Sequence, residues 1–322
     1  MKTSALLMIP GAAALALAFP AAAQLYPAKS IRVVVPYVAG GNTDFTARVI
    51  GQKLSEAWGQ QIIIENRPGG ATNIGSELVA KAVPDGYTIL MGGAANAINM
   101  SLYQKMPYDT QRDLAPIILC VQGANLLAVH PSLPAKNIKE LIVLAKARPG
   151  KMSYGSSGLG SSNQMAGELL KLMAGVDILH VPYKGNPPAI TDTIGGQIEM
   201  VFSGVPALVP HMQAGRLRAI GIGSVKRFPA VPDVPTIAES GLKGYEATTW
   251  FGLMAPVKVP KDIIAKWNAD VGKILASQEV STRFIGEGIE PMGNSPEWFA
   301  KFIADEIAKY AKVVKAANLK GD

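Results

Sequence analysis

Cysteine is almost absent from this chain. There is one, Cys120, and a single thiol cannot close an intramolecular disulfide, so the fold has to be held by apolar burial. It lies in the apolar run at residues 117–121, the setting of an inert core thiol rather than of an accessible nucleophile. Histidine is scarce too. His130, His180 and His211 lack metal-ligand spacing and each neighbours apolar or proline residues, so they are expected in the core or at loop edges, and no metal site is expected. The G-x-S-x-G elbow is missing, because Gly155-Ser156-Ser157-Gly158-Leu159 ends in leucine. Walker A and H-E-x-x-H motifs are missing as well. Glu287 and Glu290 lie close together, but nothing marks them as a glycosidase couple. These absences argue against an enzyme. The alternative, an exported hydrolase or isomerase, needs a nucleophile–base pair that these histidines are poorly placed to supply.

Charge is thin. Charged residues make up 17% against 48% hydrophobic, a composition that excludes disorder. The formal net charge is +7, and without Lys2 it is +6. The basic residues are scattered with no arginine–aromatic cluster, so no nucleic-acid partner is expected. Lys301, Lys309, Lys312, Lys315 and Lys320 mix with Asp305 and Glu306, which reads as a solvated helix face. Long apolar runs are lacking also. The uncharged stretch at residues 5–19 follows Lys2, contains Pro10 and Gly11, and is shorter than the ~20 residues of a spanning helix. It leads to Ala21-Ala22-Ala23, so residues 1–23 read as a signal peptide cleaved after Ala23, leaving Gln24 first and the protein in the periplasm.

What the chain does have is glycine and proline, 33 and 23 residues, set between β-branched runs and amphipathic helical stretches. That alternation is α/β grammar. Strands are predicted over 31–36, 61–66, 87–91, 126–130, 151–154, 178–183, 200–202, 218–224 and 248–254, with a glycine-rich exit loop at 92–96 and three helical stretches at the end. About 300 residues beyond the leader exceed one comfortable core and predict two domains. Their expected bounds are 24–122 plus 248–322, and 123–247, with a Pro/Gly-rich connector at 228–244 and crossings near 122–126 and 245–250.

One pattern recurs at residues 39–44, 69–73, 92–96, 155–163, 183–189 and 203–206: strand, glycine-rich turn, small polar residues, helix start. In open α/β sheets ligands sit outside the carboxyl ends of strands. A helix N-terminus carries unpaired N–H groups and about half a positive charge, which suits an anion. Glycine lets that backbone come close. Asp44 would lie in a first helical turn, placed for the dipole, for a ligand ammonium or hydroxyl, or for an ion pair with Arg48 one turn on. Lys184 could pair with an anion.

At these loops the sequence resembles the solute-binding receptors of tripartite tricarboxylate transporters, the Bug or TctC-type family. The matching segments are Pro36-Tyr37-Val38-Ala39-Gly40-Gly41-Asn42-Thr43-Asp44, Glu65-Asn66-Arg67-Pro68-Gly69-Gly70, Tyr154-Gly155-Ser156-Ser157-Gly158, Val181-Pro182-Tyr183-Lys184-Gly185 and Pro232-Asp233-Val234-Pro235-Thr236. The resemblance implies a two-domain, flytrap-like periplasmic-binding-protein fold (type II-like) with two interdomain crossings. It implies a monomer without cofactor that delivers a small carboxylate to membrane permease subunits or to a sensing system. It implies pincers on the ligand carboxylate from Tyr37, Gly40, Gly41, Asn42 and Asp44 on one side and Tyr183, Gly185, Pro188 and Ala189 on the other. Ala95, Asn96, Ser157, Ser161, Asn163 and Ser203 would read the rest of the ligand. Valine at Gly41 or Gly185 is expected to abolish binding. Three departures stand out: Ala39 replaces the usual proline of the first loop, Asn163-Gln164 stands where a histidine is common, and Ser203 where an aspartate is common. The last removes a partner for a ligand amino group and favours a plain mono-, di- or tricarboxylate or an aromatic acid over an amino acid.

Overall fold

The computed structural model describes residues 26–321; the expected signal peptide and expected cleavage site lie outside the described residues. The chain opens with β1 (Ile31–Val35), α1 (Asn42–Trp58), β2 (Ile62–Asn66), α2 (Asn73–Ala80), β3 (Thr88–Gly93), α3 (Ala94–Leu102) and the short α4 (Thr110–Asp113). A long strand, β4 (Leu114–Val129), leads to α5 (Ile138–Ala147), β5 (Ser153–Ser156), α6 (Ser162–Ala174), β6 (Leu179–Pro182) and α7 (Asn186–Ile194). Then come β7 (Met200–Gly204), α8 (Val205–Gln213) and β8 (Arg218–Ile222). The chain finishes with β9 (Thr248–Pro256), α9 (Lys261–Ala276), α10 (Gln278–Gly286), β10 (Ile289–Pro291) and α11 (Pro296–Ala316).

Two groups of strands share β4. Its first part pairs antiparallel with β9 and β10, beside β3, β1 and β2. From Asn125 onward it pairs with β7 and β8, beside β5 and β6. The change of partner falls between Ala124, opposite Thr248, and Asn125, opposite Gly204. Just before β9, the Ala247 amide bonds to the Gly223 carbonyl beside β8, while Thr248 already pairs with Ala124. Parallel pairing of β1 with β2 and β3, and of β5 with β6 and β7, points the carboxyl ends of both sets at this junction. The loops after those strands therefore face one another, as the ligand geometry of α/β sheets requires. Gly160, after β5, comes within side-chain distance of α3: a Cβ there would stand 2.9 Å from Leu102 and 3.4 Å from Asn99 Oδ1.

Three apolar clusters hold the halves. One is built on Val33, Ile50, Cys120 and Trp267, a second on Leu126, Val201 and Leu208. The third joins Val34 and Leu90 of the first group to Tyr154 and Phe202 of the second, through Trp250 and Tyr310. Cys120 is fully buried, and burial pushes its thiol up to about 12, the inert thiol expected. The C-terminal helix α11 packs on α3 and β4 and also reaches α6. Its buried Glu306 accepts the indole N–H of Trp250 at 3.0 Å.

Two expectations change. The exit loop at 92–96 is strand up to Gly93 and helix from Ala94. The strand predicted from 126 starts at Leu114; Pro116 and Gly123, residues disfavoured in strands, mask it in the sequence. Register shifts against β9 at 116/118 and 119/121 accommodate the irregular stretch.

Candidate functional site

The β1–α1 loop is organised by a carboxylate. Asp44 is 3% exposed. Its Oδ2 accepts from the Gly40 amide and from Arg48 Nε, both at 2.9 Å, and its Oδ1 accepts from Asn66 Nδ2 at 3.0 Å. The same Asn66 nitrogen reaches the Tyr37 carbonyl at 3.1 Å, and Arg48 Nη2 donates to Asn66 Oδ1 at 3.2 Å. Burial raises the Asp44 carboxyl, but these hydrogen bonds together outweigh it and leave it below its ordinary value. Of the roles open to Asp44 from sequence, the ion pair with Arg48 is present, and both oxygens are engaged within the loop. Gly40 has φ +87, the left-handed region that favours glycine, whereas Gly41 at φ −86 is ordinary extended backbone. Gly41 leaves α1 without a side-chain cap, so the amides of Asn42 and Thr43 have no partner from a capping side chain.

The opposite loops carry α6 and α7. Gly185, at φ 106 and ψ 172, leaves α7 without a side-chain cap, and its own N–H donates to the Ser157 carbonyl at 3.2 Å. Pro187 and Pro188 fill the first turn and bring no N–H, so the first donor of α7 is the Asn186 amide. Ala189 is fully buried in the second-group core, so its methyl group turns away from the loops. The Tyr183 hydroxyl donates to Asp192 at 2.7 Å, and burial followed by Asp192 pushes its phenol up to about 12. Lys184 is exposed and makes no ion pair among the described residues.

The helices α3 and α6, by contrast, cap themselves. Ser161 Oγ accepts from the Gln164 amide at 3.2 Å and donates to the Gly158 carbonyl at 2.7 Å. Asn96 Oδ1 accepts from the Gly93 amide at 2.9 Å, and its nitrogen donates to Ser76 and to Tyr108. Asn96 is fully buried with both ends of its amide occupied by protein partners. Its neighbour Ala95 gives its backbone N–H to the Tyr37 hydroxyl, a phenol that burial raises. Asn163 is also buried, between Ser157 Oγ and Asn125 Oδ1, each 2.7 Å away. Ser203 Oγ is buried at the end of β7, with no protein partner. Thr72, Asn99 and Thr248 each bury one oxygen in the same condition.

One pair was not legible in the sequence. His180 Nε2 lies 2.7 Å from Ser156 Oγ, so the histidines do include one beside a serine, contrary to expectation. The register of β5 on β6 sets His180 beside Tyr154, with ring centroids 4.9 Å apart. Ser156 is fully buried, its hydroxyl also contacts the Gly158 backbone, and the other ring nitrogen faces Gln164 at 3.4 Å rather than a carboxylate. The pair lacks the orienting acid and the access that nucleophilic catalysis needs.

Burial, with a smaller push from Lys171, lowers His180 to about 4. Between pH 6.5 and about 4 the unfolded chain therefore binds a proton that the folded chain refuses, and stability falls as pH falls through that window. For a partly exposed ring the loss is discounted to about 2 kcal/mol. Urea unfolding at pH 7.5 and 4.5 checks it: His180→Gln should remove about that much of the pH dependence, and an unchanged slope would sink the assignment.

A groove of ≈ 400 Å³ beside β8 shares no residue with these loops. Its arginine, Arg218, is bound to the carbonyls of Pro131, Leu133 and Ala135. The architecture that remains, two α/β strand groups crossed twice with facing loops, is that of the periplasmic solute-binding proteins. The family described as "Tripartite tricarboxylate transporter family receptor" matches residues 46–319, and the chain belongs to it. It is 36% identical to Protein BugT of Bordetella pertussis over 306 residues, 94% of each chain. An R. palustris protein solved with adipate superposes with a TM-score of 0.82 at 38% identity, covering 92% of this chain and 99% of that one. MatC from Rhodopseudomonas palustris with bound malate gives a TM-score of 0.78 at 32% identity, covering 90% and 100%.

Proposed function

We propose that this chain is an extracytoplasmic receptor that holds a small carboxylate between the two strand groups. The observation that carries the reading is that α1 and α7, which follow β1 and β6 at the junction-facing strand ends, both begin without side-chain caps. Such ends suit a carboxylate through N–H groups and dipole. The nearby Asp44 does not oppose it, since its charge is paired with Arg48 at 2.9 Å. Relatives solved with adipate and malate support the ligand class. Ser203 in place of an acid supports a carboxylate without an amino group.

Residues 24–122 plus 248–322 and residues 123–247 act as two domains that close on the acid about the crossings. The pincers are the backbones at 40–42 and 185–186, with Tyr37, Tyr183 and Lys184 beside them; Ser157 and Ser203 face the remainder. The protein works in the periplasm as a monomer and hands its acid to permease subunits, without chemistry of its own. No helix among the described residues is long and apolar enough to cross a membrane.

The test is a thermal-shift screen of residues 24–322 against adipate, malate, aromatic acids, amino acids and neutral analogues. An acid at ~100 times its dissociation constant adds about 2.7 kcal/mol. At roughly 2–4 °C per kcal/mol this is several degrees. No shift from any acid, with none recovered from denatured protein by mass spectrometry, would refute the receptor reading. Turnover of an ester or lactone would favour the hydrolase instead.

A further inference from the structure

Asn125 sits where β4 changes partners and is 1% exposed. Its carbonyl accepts from the Gly223 amide at 2.8 Å, and the Gly223 carbonyl accepts from the Ala247 amide at 2.9 Å. A Cβ on Gly223 would stand 2.5 Å from the Ala247 oxygen, so glycine is what lets these strands lie so close. One end of the Asn125 amide faces two carbonyls, Ala247 O at 3.1 Å and Ser162 O at 3.4 Å. Carbonyls only accept, so that end is the NH₂. The other end is then oxygen, and Asn163, 2.7 Å away, must present its own NH₂ to it. Asn163 therefore turns its oxygen to Ser157 Oγ at 2.7 Å, and the serine must donate.

From this fixed polarity we infer that Ser157 meets the cleft as a hydrogen-bond acceptor, and that Asn163 and Asn125 are positioning residues that select acids carrying a hydroxyl donor. A serine hydroxyl has one proton. With that proton held by Asn163, only lone pairs remain for the cleft. They repel a carboxylate oxygen and welcome an O–H, which leaves the carboxylate to the helix ends of α1 and α7. This rests on the receptor reading above and adds a direction to it. Without Asn163 the hydroxyl is free to rotate and can donate as readily as accept.

The test has two arms. A neutron structure of the deuterated, ligand-free protein should place the Ser157 deuterium on the line to Asn163 Oδ1; a deuterium pointing into the cleft overturns the relay whatever the protein binds. In the second arm, calorimetry compares malate with succinate, which lacks only the hydroxyl. The unsubstituted protein should prefer malate by about five- to tenfold, the worth of one neutral hydrogen bond. Asn163→Ala should bring the ratio near one, with succinate affinity changed less than malate affinity. Asn137→Ala, which removes the α5 cap at the Glu140 amide, should lower the melting temperature without moving the ratio. Equal loss of both acids in Asn163→Ala would make its role structural only. Failure of both acids to bind the unsubstituted protein overturns the selection of hydroxy acids; silence across the wider carboxylate screen would overturn the receptor reading itself.

Discussion

Asp44→Ala is expected to lower stability by about 2–3 kcal/mol and to weaken carboxylate binding by more than about thirtyfold. The stability estimate follows from what is left behind. The Gly40 amide loses its acceptor in a part-buried loop, and Asn66 Nδ2 loses one of its two and keeps the Tyr37 carbonyl, at about 1–3 kcal/mol for a group left unsatisfied. Arg48 costs little, since its side chain is half exposed and regains water. The binding loss has a different origin. Asn66 ties Asp44 to the Tyr37 carbonyl, so removing the carboxylate frees the backbone over 37–41, the stretch that sets the entry to α1. A thirtyfold change is about 2 kcal/mol, within reach of ordering a short loop. Urea unfolding and calorimetry on the same variant separate the effects. Reduced stability with undiminished affinity would remove this loop from the ligand site. The sign with pH follows from the lowered carboxyl: its contribution is present above the ordinary aspartate range and lost as pH falls through the lower folded value.

The loop also shows where sequence reading succeeds. A strand, two glycines and an amphipathic run predict a helix over 44–58, and the helix spans Asn42–Trp58. These signals are local, so one chain displays them. The α/β class was legible for the same reason. Asn96 was not. It sits in a glycine-rich stretch that reads as a loop, and only the burial of Ser76 and Tyr108 around it makes its amide a structural bracket. Ser156 and His180 are 24 residues apart and meet because β5 and β6 pair in parallel at that register, which no local pattern encodes. The same holds for Asn125, an ordinary residue in sequence. Its importance comes from lying where three stretches of chain, at 125, 223 and 247, run within hydrogen-bonding distance.

The two glycines that looked equivalent in the sequence are expected to behave differently. Gly185→Val should abolish binding, by about a hundredfold or more, with the fold retained. At φ 106 and ψ 172 the backbone occupies a region that is essentially glycine's alone, and a side chain there costs of order 1–3 kcal/mol. The chain can relieve that strain by turning the peptide between Lys184 and Gly185, which resets φ at 185. Turning it breaks the contact of the residue-185 N–H with the Ser157 carbonyl and shifts the entry to α7. Because prolines fill the two positions after Asn186, α7 has no neighbouring N–H to take over. Gly41→Val meets no such strain: φ is −86, ψ is 172, and nothing lies within 4 Å of a Cβ placed there. Its stability should match that of the unsubstituted protein. Its affinity then reports where the acid lies. Lost binding at full stability would put the acid against residue 41, while retained binding would confine the carboxylate to the amides beyond it. Calorimetry and urea unfolding on both variants decide the matter, and wild-type affinity in Gly185→Val would exclude the α7 end from the site.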